Sequence, residues 1–226
     1  MTRIVVLRPE PGASETIERA EARGLDAIAI PLFNIEPLAW AAPEPGSFDA
    51  LLLTSANAVR FGGEQLTELR GLPVHAVGDA TADAARGAGF DIASTGDAGV
   101  DRLLGSLEPD LKLLHPCGEE RKLPERARQT ITPVPVYRSK TVEPAPDLAQ
   151  ARDAIVLIHS PRAAERFAKL TREQQVEQQA VALAVISRPA AEAAGSGWKS
   201  VDIADRPSDD ALLALAERLC DKRRQG

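Results

Sequence analysis

The amino-acid sequence predicts an α/β fold made of two similar lobes, each with a parallel sheet covered by helices on both faces. Two observations lead to this prediction. Short apolar runs alternate with helical patterns along the chain, which is typical of parallel strands joined by helical crossovers. The second half of the chain also repeats the pattern of the first half. Two similar lobes would enclose one cleft between them.

The repeat is clearest over two pairs of segments. VHAVGDATADAARGAGF, at 74–90, aligns with ALAVISRPAAEAAGSGW, at 182–198. Upstream, DALLLTSANAVRF from Asp49 corresponds to DAIVLIHSPRAAERF from Asp153. The offset is roughly a hundred residues in both pairs. Because solenoid repeats have periods of about 20 to 50 residues, this offset indicates a domain-sized duplication.

The elements of the first half follow from apolar runs and from capping and turn residues. The first predicted helix has Ser14 as its N-cap and Gly24 just past its end. In chain order we predict strand 3–8, helix 14–23, strands 26–33 and 49–55, helix 57–69, strand 73–78, helix 81–86, strand 90–94 and helix 100–107.

The second half gives a similar series. Pro161 stands at the first position of a predicted helix, where its fixed φ angle suits the first turn. In chain order we predict strand 112–116, helix 123–129, strands 132–139 and 153–160, helix 161–170, strand 182–187, helix 190–194, strand 199–204 and helix 208–224.

Composition restricts the class of protein. The chain has 226 residues, of which 44% are hydrophobic and 4% aromatic, and this suits alanine-rich helices packed on branched strand residues. A net charge of −6 without a long basic run argues against nucleic acid as a partner. The N-terminus resembles neither a signal peptide nor a membrane span, so we expect a cytoplasmic protein with no membrane partner. Cys117 and Cys220 are expected to be reduced thiols, and no metal site is predicted.

Hydroxyl groups and arginines cluster where the predicted strands end. In parallel α/β sheets this edge binds ligands, because the N–H groups of the following helices favour anions. The pattern therefore predicts a site for a polyanionic small molecule. Alternatively, Ser55, Thr81, Ser160 and Ser187 serve only as N-caps, a role that needs the same residue types in the same place. The candidate binding residues at this edge are Arg8, Thr54, Ser55, Asn57, Thr81, Ser160, Arg162 and Ser187.

No standard catalytic signature is complete in this sequence. It has no G-x-G-x-x-G after the first strand, no P-loop, no G-x-S-x-G and no H-E-x-x-H, so a nucleotide enzyme is unsupported. His75, His115 and His159 lie in or at the end of predicted strands. Their scatter favours structural roles, although histidine is also the usual acid or base at neutral pH.

Tyr137 is the only tyrosine of the chain and lies near the end of the predicted strand 132–139. Its phenol would face the cleft between Arg138 and Lys140, and these cations would lower its pKa. Tyr137 is therefore a candidate proton or hydrogen-bond donor. A structural role, as an anchor of the crossing between the lobes, remains an equal alternative.

Taken together, several segments resemble the uroporphyrinogen-III synthase family. They occur in order over nearly the whole chain: IVVLRPE, TSANAVRF, AVGDATADAARGAGF, GEERK, PVYRS, LIHSPRAAERF and ISRPAAEAAGSGW. Each segment alone is weakly specific, and their order and spacing carry the resemblance. The chain departs from the family at 116–120, PCGEE, and at 186–189, ISRP, where Ser187 supplies the hydroxyl.

The resemblance implies two flavodoxin-like (HemD-like) domains joined by a two-stranded β linker, with the active site between them. One domain would combine residues 1–36 with 140–226, and residues 37–139 would form the other. Proline-rich segments that follow the predicted strands 26–33 and 132–139 agree with two such crossings. The catalytic tyrosine of the family's V-Y motif matches Tyr137, and Arg121 matches a basic position.

The resemblance also implies an activity: a monomer without cofactor cyclises the linear tetrapyrrole hydroxymethylbilane to uroporphyrinogen III. Loss of water would give an azafulvene, and a spiro intermediate would then invert ring D. The alternative is a bilobed cytosolic binding or sensing protein, which needs no catalytic residue. An assay for the type III isomer distinguishes the two.

Overall fold

Within residues 2–96, 99–121, 124 and 127–225, which the computed structural model describes, the strands form two sheets. Most of these strands are short and several are fully buried. In chain order they are β1 (Ile4–Val6), β2 (Ala27–Ala29), β3 (Phe33–Pro37), β4 (Ala50–Leu53), β5 (Val74–Val77), β6 (Ile92–Gly96), β7 (Lys112–Gly118), β8 (Thr130–Thr141), β9 (Ile155–Ile158), β10 (Ala182–Val185) and β11 (Ser200–Ile203).

Helices follow most of the strands. They are α1 (Gly12–Glu21), α2 (Ala56–Phe61), α3 (Asp79–Gly87), α4 (Val100–Ser106), α5 (Pro161–Glu173), α6 (Arg188–Ala194) and α7 (Asp209–Gln225). Short 3₁₀ turns lie at Pro45–Ser47, Glu64–Leu69, Ala149–Ala151 and Gln178–Ala180.

The chain divides into two compact units. Unit 1 comprises Met1–Asn34 and Thr141–Gly226, and unit 2 comprises Ile35–Lys140. The sheet of unit 1 has the order β2-β1-β9-β10-β11, with all neighbouring strands parallel. The second sheet has the order β6-β5-β4-β7-β8-β3, and its pairs from β6 to β8 are parallel. The α/β class with two parallel sheets confirms the predicted fold class.

Burial explains which strands are central. In β1, β4, β9 and β10 every residue is buried, as expected where helices cover both faces of a parallel sheet. The edge strands β6 and β11 instead alternate between half-buried and exposed residues. In unit 1, side chains of α5 and α6 pack on one face of the sheet, while those of α1 and α7 pack on the other. In unit 2, α2 and α3 cover one face and α4 the other.

The two units share one strand order when the sequence repeat is used to match them. The repeat pairs β4 and β5 with β9 and β10, and the sheet orders then pair β6, β7 and β8 with β11, β1 and β2. In unit 2 the strands that match β1 and β2 come last along the chain. In unit 1 they come first, so the same order is reached through a permuted connection.

At two places a proline or a glycine makes the observed element boundaries differ from the predicted ones. The predicted strand 26–33 is interrupted by Pro31 and forms β2 and the start of β3. The predicted helix 57–69 stops at Phe61, because Gly63 takes a φ of 70°, and the chain continues as a 3₁₀ turn. Glycine adopts this left-handed conformation without the penalty that other residues incur.

Two helix predictions need a different correction. α1 begins at Gly12 rather than at Ser14. The Ser14 N–H donates a hydrogen bond to the Glu10 carboxylate at 3.0 Å. Glu10 therefore does the capping that was predicted for Ser14. Part of the predicted helix 123–129 lies outside the described residues. In the described part, Arg128 and Gln129 form a bend before β8.

Candidate active site

In unit 2 the candidate residues lie where β4, β7 and β8 end. The chain adds β5 and β6 on one side of β4, then returns to place β7 on its other side. A reversal of this kind leaves a crevice outside the carboxyl ends of the two adjoining strands, where α/β proteins bind ligands. Thr54 and Ser55 follow β4 directly, and Cys117 and Gly118 end β7. The predicted binding edge of unit 2 is therefore at its topological switch point.

Tyr137 lies in β8 beside this switch point. Its ring is tilted against Phe61 with 6.4 Å between the ring centroids. The Tyr137 carbonyl accepts a hydrogen bond from the N–H of Glu119 at 2.8 Å, and its side chain covers Gly118. The phenol also forms a hydrogen bond with Ser55. Packing and backbone pairing therefore fix the ring at the edge of the sheet.

Burial raises the pKa of Tyr137, and the hydrogen bond with Ser55 offsets only part of that increase. The prediction that Arg138 and Lys140 lower this pKa was wrong. Successive side chains of a strand point to opposite faces, and both cations lie on the other face. There they pair with Glu36, with Arg138 Nη2 2.9 Å and Lys140 Nζ 3.8 Å from its carboxylate oxygens. The phenol is therefore protonated at neutral pH and available as a donor.

Ser55 links the start of α2 to Tyr137. Its Oγ accepts a hydrogen bond from the N–H of Asn57 at 3.2 Å, so Ser55 is the N-cap of α2. The hydrogen bond with Tyr137 lowers the phenol pKa but leaves it above its ordinary value. Ser55 therefore both caps α2 and contacts Tyr137 at the candidate site.

His115 is the main residue of this edge that the sequence did not assign to the site. It lies in β7, is 2% exposed, and has its Nε2 3.1 Å from Thr54 Oγ1. Burial, assisted by the charge of Arg121, lowers its pKa to about 4. A histidine inside the buried run LLHPCG could have indicated a place in the site, because a buried polar side chain requires hydrogen-bond partners.

Two further predicted residues of unit 2 differ in exposure. Arg121 is exposed just after β7, and its charge reaches both His115 and Cys117. Thr81 is 5% exposed within α3, and its N–H donates to the Gly78 carbonyl. The structure therefore brings Thr54, Ser55, Asn57, Arg121 and Tyr137 to one edge and buries Thr81.

In unit 1 the matching switch point lies between β1 and β9. Arg8 follows β1, and His159 and Ser160 follow β9. Ser160 caps α5 by accepting a hydrogen bond from the N–H of Ala163 at 3.1 Å. Arg162, in the first turn of α5, places its guanidinium 4.4 Å from the centroid of the Phe33 ring. Ser187 precedes α6 without a side-chain cap bond.

Asp209, at the start of α7, organises this edge. Its Oδ1 accepts hydrogen bonds from His159 Nε2 at 2.7 Å and from the Thr16 hydroxyl at 3.0 Å, and lies 3.5 Å from Arg8 Nη1. Arg19 Nη2 lies 2.7 Å from the other oxygen. Arg8 also donates to the Thr16 hydroxyl at 3.2 Å. No pattern in the sequence indicated this network, because Asp209 is 193 residues from Thr16.

The charges of this network follow from burial and pairing. Burial lowers the pKa of His159 even though the hydrogen bond to Asp209 raises it, so the imidazole is neutral at neutral pH. Burial alone would raise the pKa of Asp209, but the hydrogen bond with His159 and the charge of Arg19 outweigh it and lower that pKa. The carboxylate is thus ionised and held by two arginines.

The structure adds two findings on other kinds of site. Among the described residues, no group of three or more histidine, cysteine, aspartate or glutamate side chains is arranged to hold a metal ion. No helix in the described part of the chain is long and apolar enough to cross a membrane.

Two solved structures with the same fold, among others, come from two different bacteria. The uroporphyrinogen-III synthetase of Helicobacter pylori superimposes with a TM-score of 0.62 at 19% identity, covering 97% of this chain and 100% of that one. A mutant uroporphyrinogen III synthase of Thermus thermophilus gives a TM-score of 0.53 at 18% identity, over 98% of this chain and 100% of that one. No curated protein matches the sequence.

At these identities the two structures establish the fold alone. The family model for uroporphyrinogen-III synthase HemD, however, matches residues 14–214, which is most of the sequence. The match covers the switch point of unit 2 and most of the segments on which the resemblance was based, whereas β1 of the unit 1 switch point precedes the matched residues. This chain therefore belongs to the uroporphyrinogen-III synthase HemD family.

Proposed function

We propose that this protein converts hydroxymethylbilane to uroporphyrinogen III with Tyr137 as the hydrogen-bond or proton donor to the departing hydroxyl. The reaction is that of its family, and the part played by Tyr137 is our proposal. The observation that carries it is a protonated, partly buried phenol beside Ser55 at the switch point of unit 2. A general acid must be protonated at the working pH, and Tyr137 meets this condition.

The reaction needs one proton delivered and one removed. The C–O bond of the hydroxymethyl group breaks, and the hydroxyl accepts a proton and leaves as water. The resulting azafulvene is attacked by the substituted carbon of ring D, which gives the spiro intermediate. That intermediate fragments, and ring D recloses in the inverted orientation. Loss of a proton from the last pyrrole carbon restores aromaticity, so substrate gives product plus one water.

Recognition of the substrate would fall to cations and hydroxyls at both sheet edges. Hydroxymethylbilane carries several carboxylates, and arginine is suited to bind carboxylates through paired N–H groups. We propose that residues at these edges make such contacts with the substrate. Holding the ring in a reactive geometry contributes up to about 7 to 11 kcal/mol in favourable cases. The candidate contacts are Arg8, Thr54, Ser55, Asn57, Arg121, Ser160, Arg162 and Ser187.

The decisive experiment is an isomer assay. Hydroxymethylbilane is incubated with the purified protein, the products are oxidised to porphyrins, and the type I and type III isomers are separated chromatographically. We expect type III to exceed the type I isomer that forms spontaneously. Heat-denatured protein serves as the control. Type I alone at every protein concentration would contradict the proposal and favour a binding protein.

We also propose a cytoplasmic monomer that acts without cofactor and has neither nucleic acid nor membrane as partner. Support comes from the acidic net charge and the family resemblance. Light scattering of the active fraction gives its mass, and prolonged dialysis against a chelator tests for a required metal. A dimer, or loss of type III formation after dialysis, would contradict the corresponding statement.

A further inference from the structure

His115 is buried in β7 with only one of its two ring nitrogens bonded. Nε2 is 3.1 Å from the Thr54 hydroxyl, across the two strands that meet at the switch point. Nδ1 is buried and has no hydrogen-bond partner in the described part of the protein. A buried polar group of this kind calls for an explanation.

The lack of a hydrogen-bond partner for Nδ1 indicates which ring nitrogen of His115 carries the proton. In one neutral tautomer Nδ1 would hold a buried N–H without an acceptor. In the other it holds only a lone pair, and buried acceptors are left unpaired more readily than buried donors. The second tautomer is therefore favoured. In it, Nε2–H donates to the Thr54 hydroxyl oxygen.

Burial keeps this imidazole neutral over the physiological range. Its pKa is lowered to about 4 by desolvation and by the charge of Arg121. His115 therefore gains no second proton at neutral pH, and the direction of its bond to Thr54 is fixed.

The direction of this bond determines what Thr54 offers to a ligand. If the Thr54 hydroxyl oxygen accepts a hydrogen bond from His115, its own O–H group must point toward a different acceptor. Thr54 is partly exposed at the end of β4, beside the capping residue Ser55. Its proton thus points away from His115, on the edge where the carboxylates of the substrate are proposed to bind.

We propose that His115 is a positioning residue for tetrapyrrole binding, which holds the Thr54 hydroxyl as a hydrogen-bond donor toward a substrate carboxylate. This inference rests on the proposed function and adds a residue that does not touch the substrate. The rival interpretation is a structural role alone, in which the bond between His115 and Thr54 only fastens β7 to β4. A purely structural bond would form with either tautomer, whereas the positioning role requires Nε2–H, and the two roles also differ in the kinetics they predict.

Nuclear magnetic resonance tests the tautomer without any substrate. Protein labelled with ¹⁵N at histidine gives ring-nitrogen shifts that distinguish protonated from bare nitrogens, and His115→Gln identifies the signals of His115. At neutral pH we expect a protonated Nε2 and a bare Nδ1. The opposite tautomer would overturn the inference, because Thr54 would then donate its proton to His115.

Kinetics test the consequence for the substrate. His115→Leu should raise KM for hydroxymethylbilane roughly tenfold, the effect of losing one modest hydrogen bond, while kcat changes much less. Thr54→Val should have the same effect. His115→Gln, whose amide N–H can replace Nε2–H, should remain near the wild type. In the Thr54→Val background, His115→Leu should add little, since the hydroxyl it positions is gone.

The outcomes are separable. If His115→Leu has the same effect with and without Thr54, or if His115→Gln is no better than His115→Leu, the positioning role is wrong although the enzyme is a synthase. If the wild type forms only the type I isomer, the proposed function fails, and the carboxylate role of Thr54 fails with it.

Discussion

The ring of Tyr137 borders the space in which a side chain at Gly118 would lie. A Cβ added at Gly118 would lie 3.0 Å from two ring carbons and 3.1 Å from the phenol oxygen. These distances are shorter than van der Waals contact, so only glycine at this position leaves the ring where it is. The two residues are also paired between β7 and β8, so neither can move independently of the sheet.

Gly118→Ala should therefore displace the phenol by a few tenths of an ångström and reduce kcat by up to roughly 10-fold, less than the roughly 100-fold effect of a shift of about 1 Å. Steady-state kinetics with hydroxymethylbilane measure this. Gly105→Ala in α4 is the matched control, because a Cβ there has no neighbour within 4 Å. It should keep full activity. Unchanged kcat in Gly118→Ala would show that the position of the ring is unimportant.

Tyr137→Phe should lower kcat by about 100-fold or more, because it removes the proposed donor and leaves the ring in place. Its melting temperature should change little, since the contact with Phe61 remains. Arg138→Gln is the control on the opposite face of β8, because its pair with Glu36 is exposed and should contribute little to stability. Wild-type turnover by Tyr137→Phe would exclude Tyr137 as the donor.

The phenol of Tyr137 can be titrated directly, because it is the only tyrosine of the chain. Its ultraviolet absorbance against pH should give a pKa above the ordinary value of 10, since burial disfavours the phenolate. Ser55→Ala should raise this pKa further, because it removes the hydrogen bond that lowers it. Loss of the cap should also cost about 1 kcal/mol of stability. A pKa at or below 10 in the wild type would contradict the burial of the phenol.

His115 should make stability depend on pH between 6.5 and about 4. In this range the unfolded histidine binds a proton and the folded one does not, so the free energy of unfolding rises with pH. This contribution is complete above pH 6.5 and is lost as the pH falls toward 4, by on the order of 3 kcal/mol in total. Urea unfolding of wild type and His115→Gln at several pH values measures the difference. Parallel pH curves for the two proteins would contradict it.

Asp209→Ala should destabilise the protein by about 3 kcal/mol, because it leaves the buried His159 N–H and two arginines without their common acceptor. The Asp209 side chain is 12% exposed, whereas that of its neighbour Asp210 is 69% exposed and pairs with Arg23 at 3.3 Å. Asp210→Ala is therefore the control, with an expected loss below about 1 kcal/mol. Equal urea midpoints for the two variants would contradict a special role for Asp209.

The fold class and the family could be predicted because they are indicated by local patterns and by the internal repeat of the sequence. Buried runs such as IVLI in β9 and the aligned repeat segments are visible in the sequence. Most errors were at boundaries that depend on one backbone angle. Gly63 ends α2 through its positive φ, and the predicted helix 57–69 was wrongly continued through the Gly62-Gly63 pair.

The candidate site was predicted less completely, because its contacts join distant parts of the chain. Thr54 and Ser55 could be placed at the sheet edge from the sequence, since they follow a recognisable strand. His115 was seen but not placed with Thr54, because a partner 61 residues away depends on which strands adjoin. The pKa of Tyr137 was predicted in the wrong direction, since sequence neighbours on a strand point to opposite faces.

The permuted connection of unit 1 has a consequence for synthesis on the ribosome. Unit 2 is continuous, so its whole sheet is available once residue 140 has emerged. β1 is by then long exposed, but its neighbour β9 begins only at Ile155 and β10 at Ala182. Since domains fold as units while the chain grows, the middle of the polypeptide folds before its beginning. β1 therefore stays unpaired on the side of β9 until the last third of the protein has been synthesised.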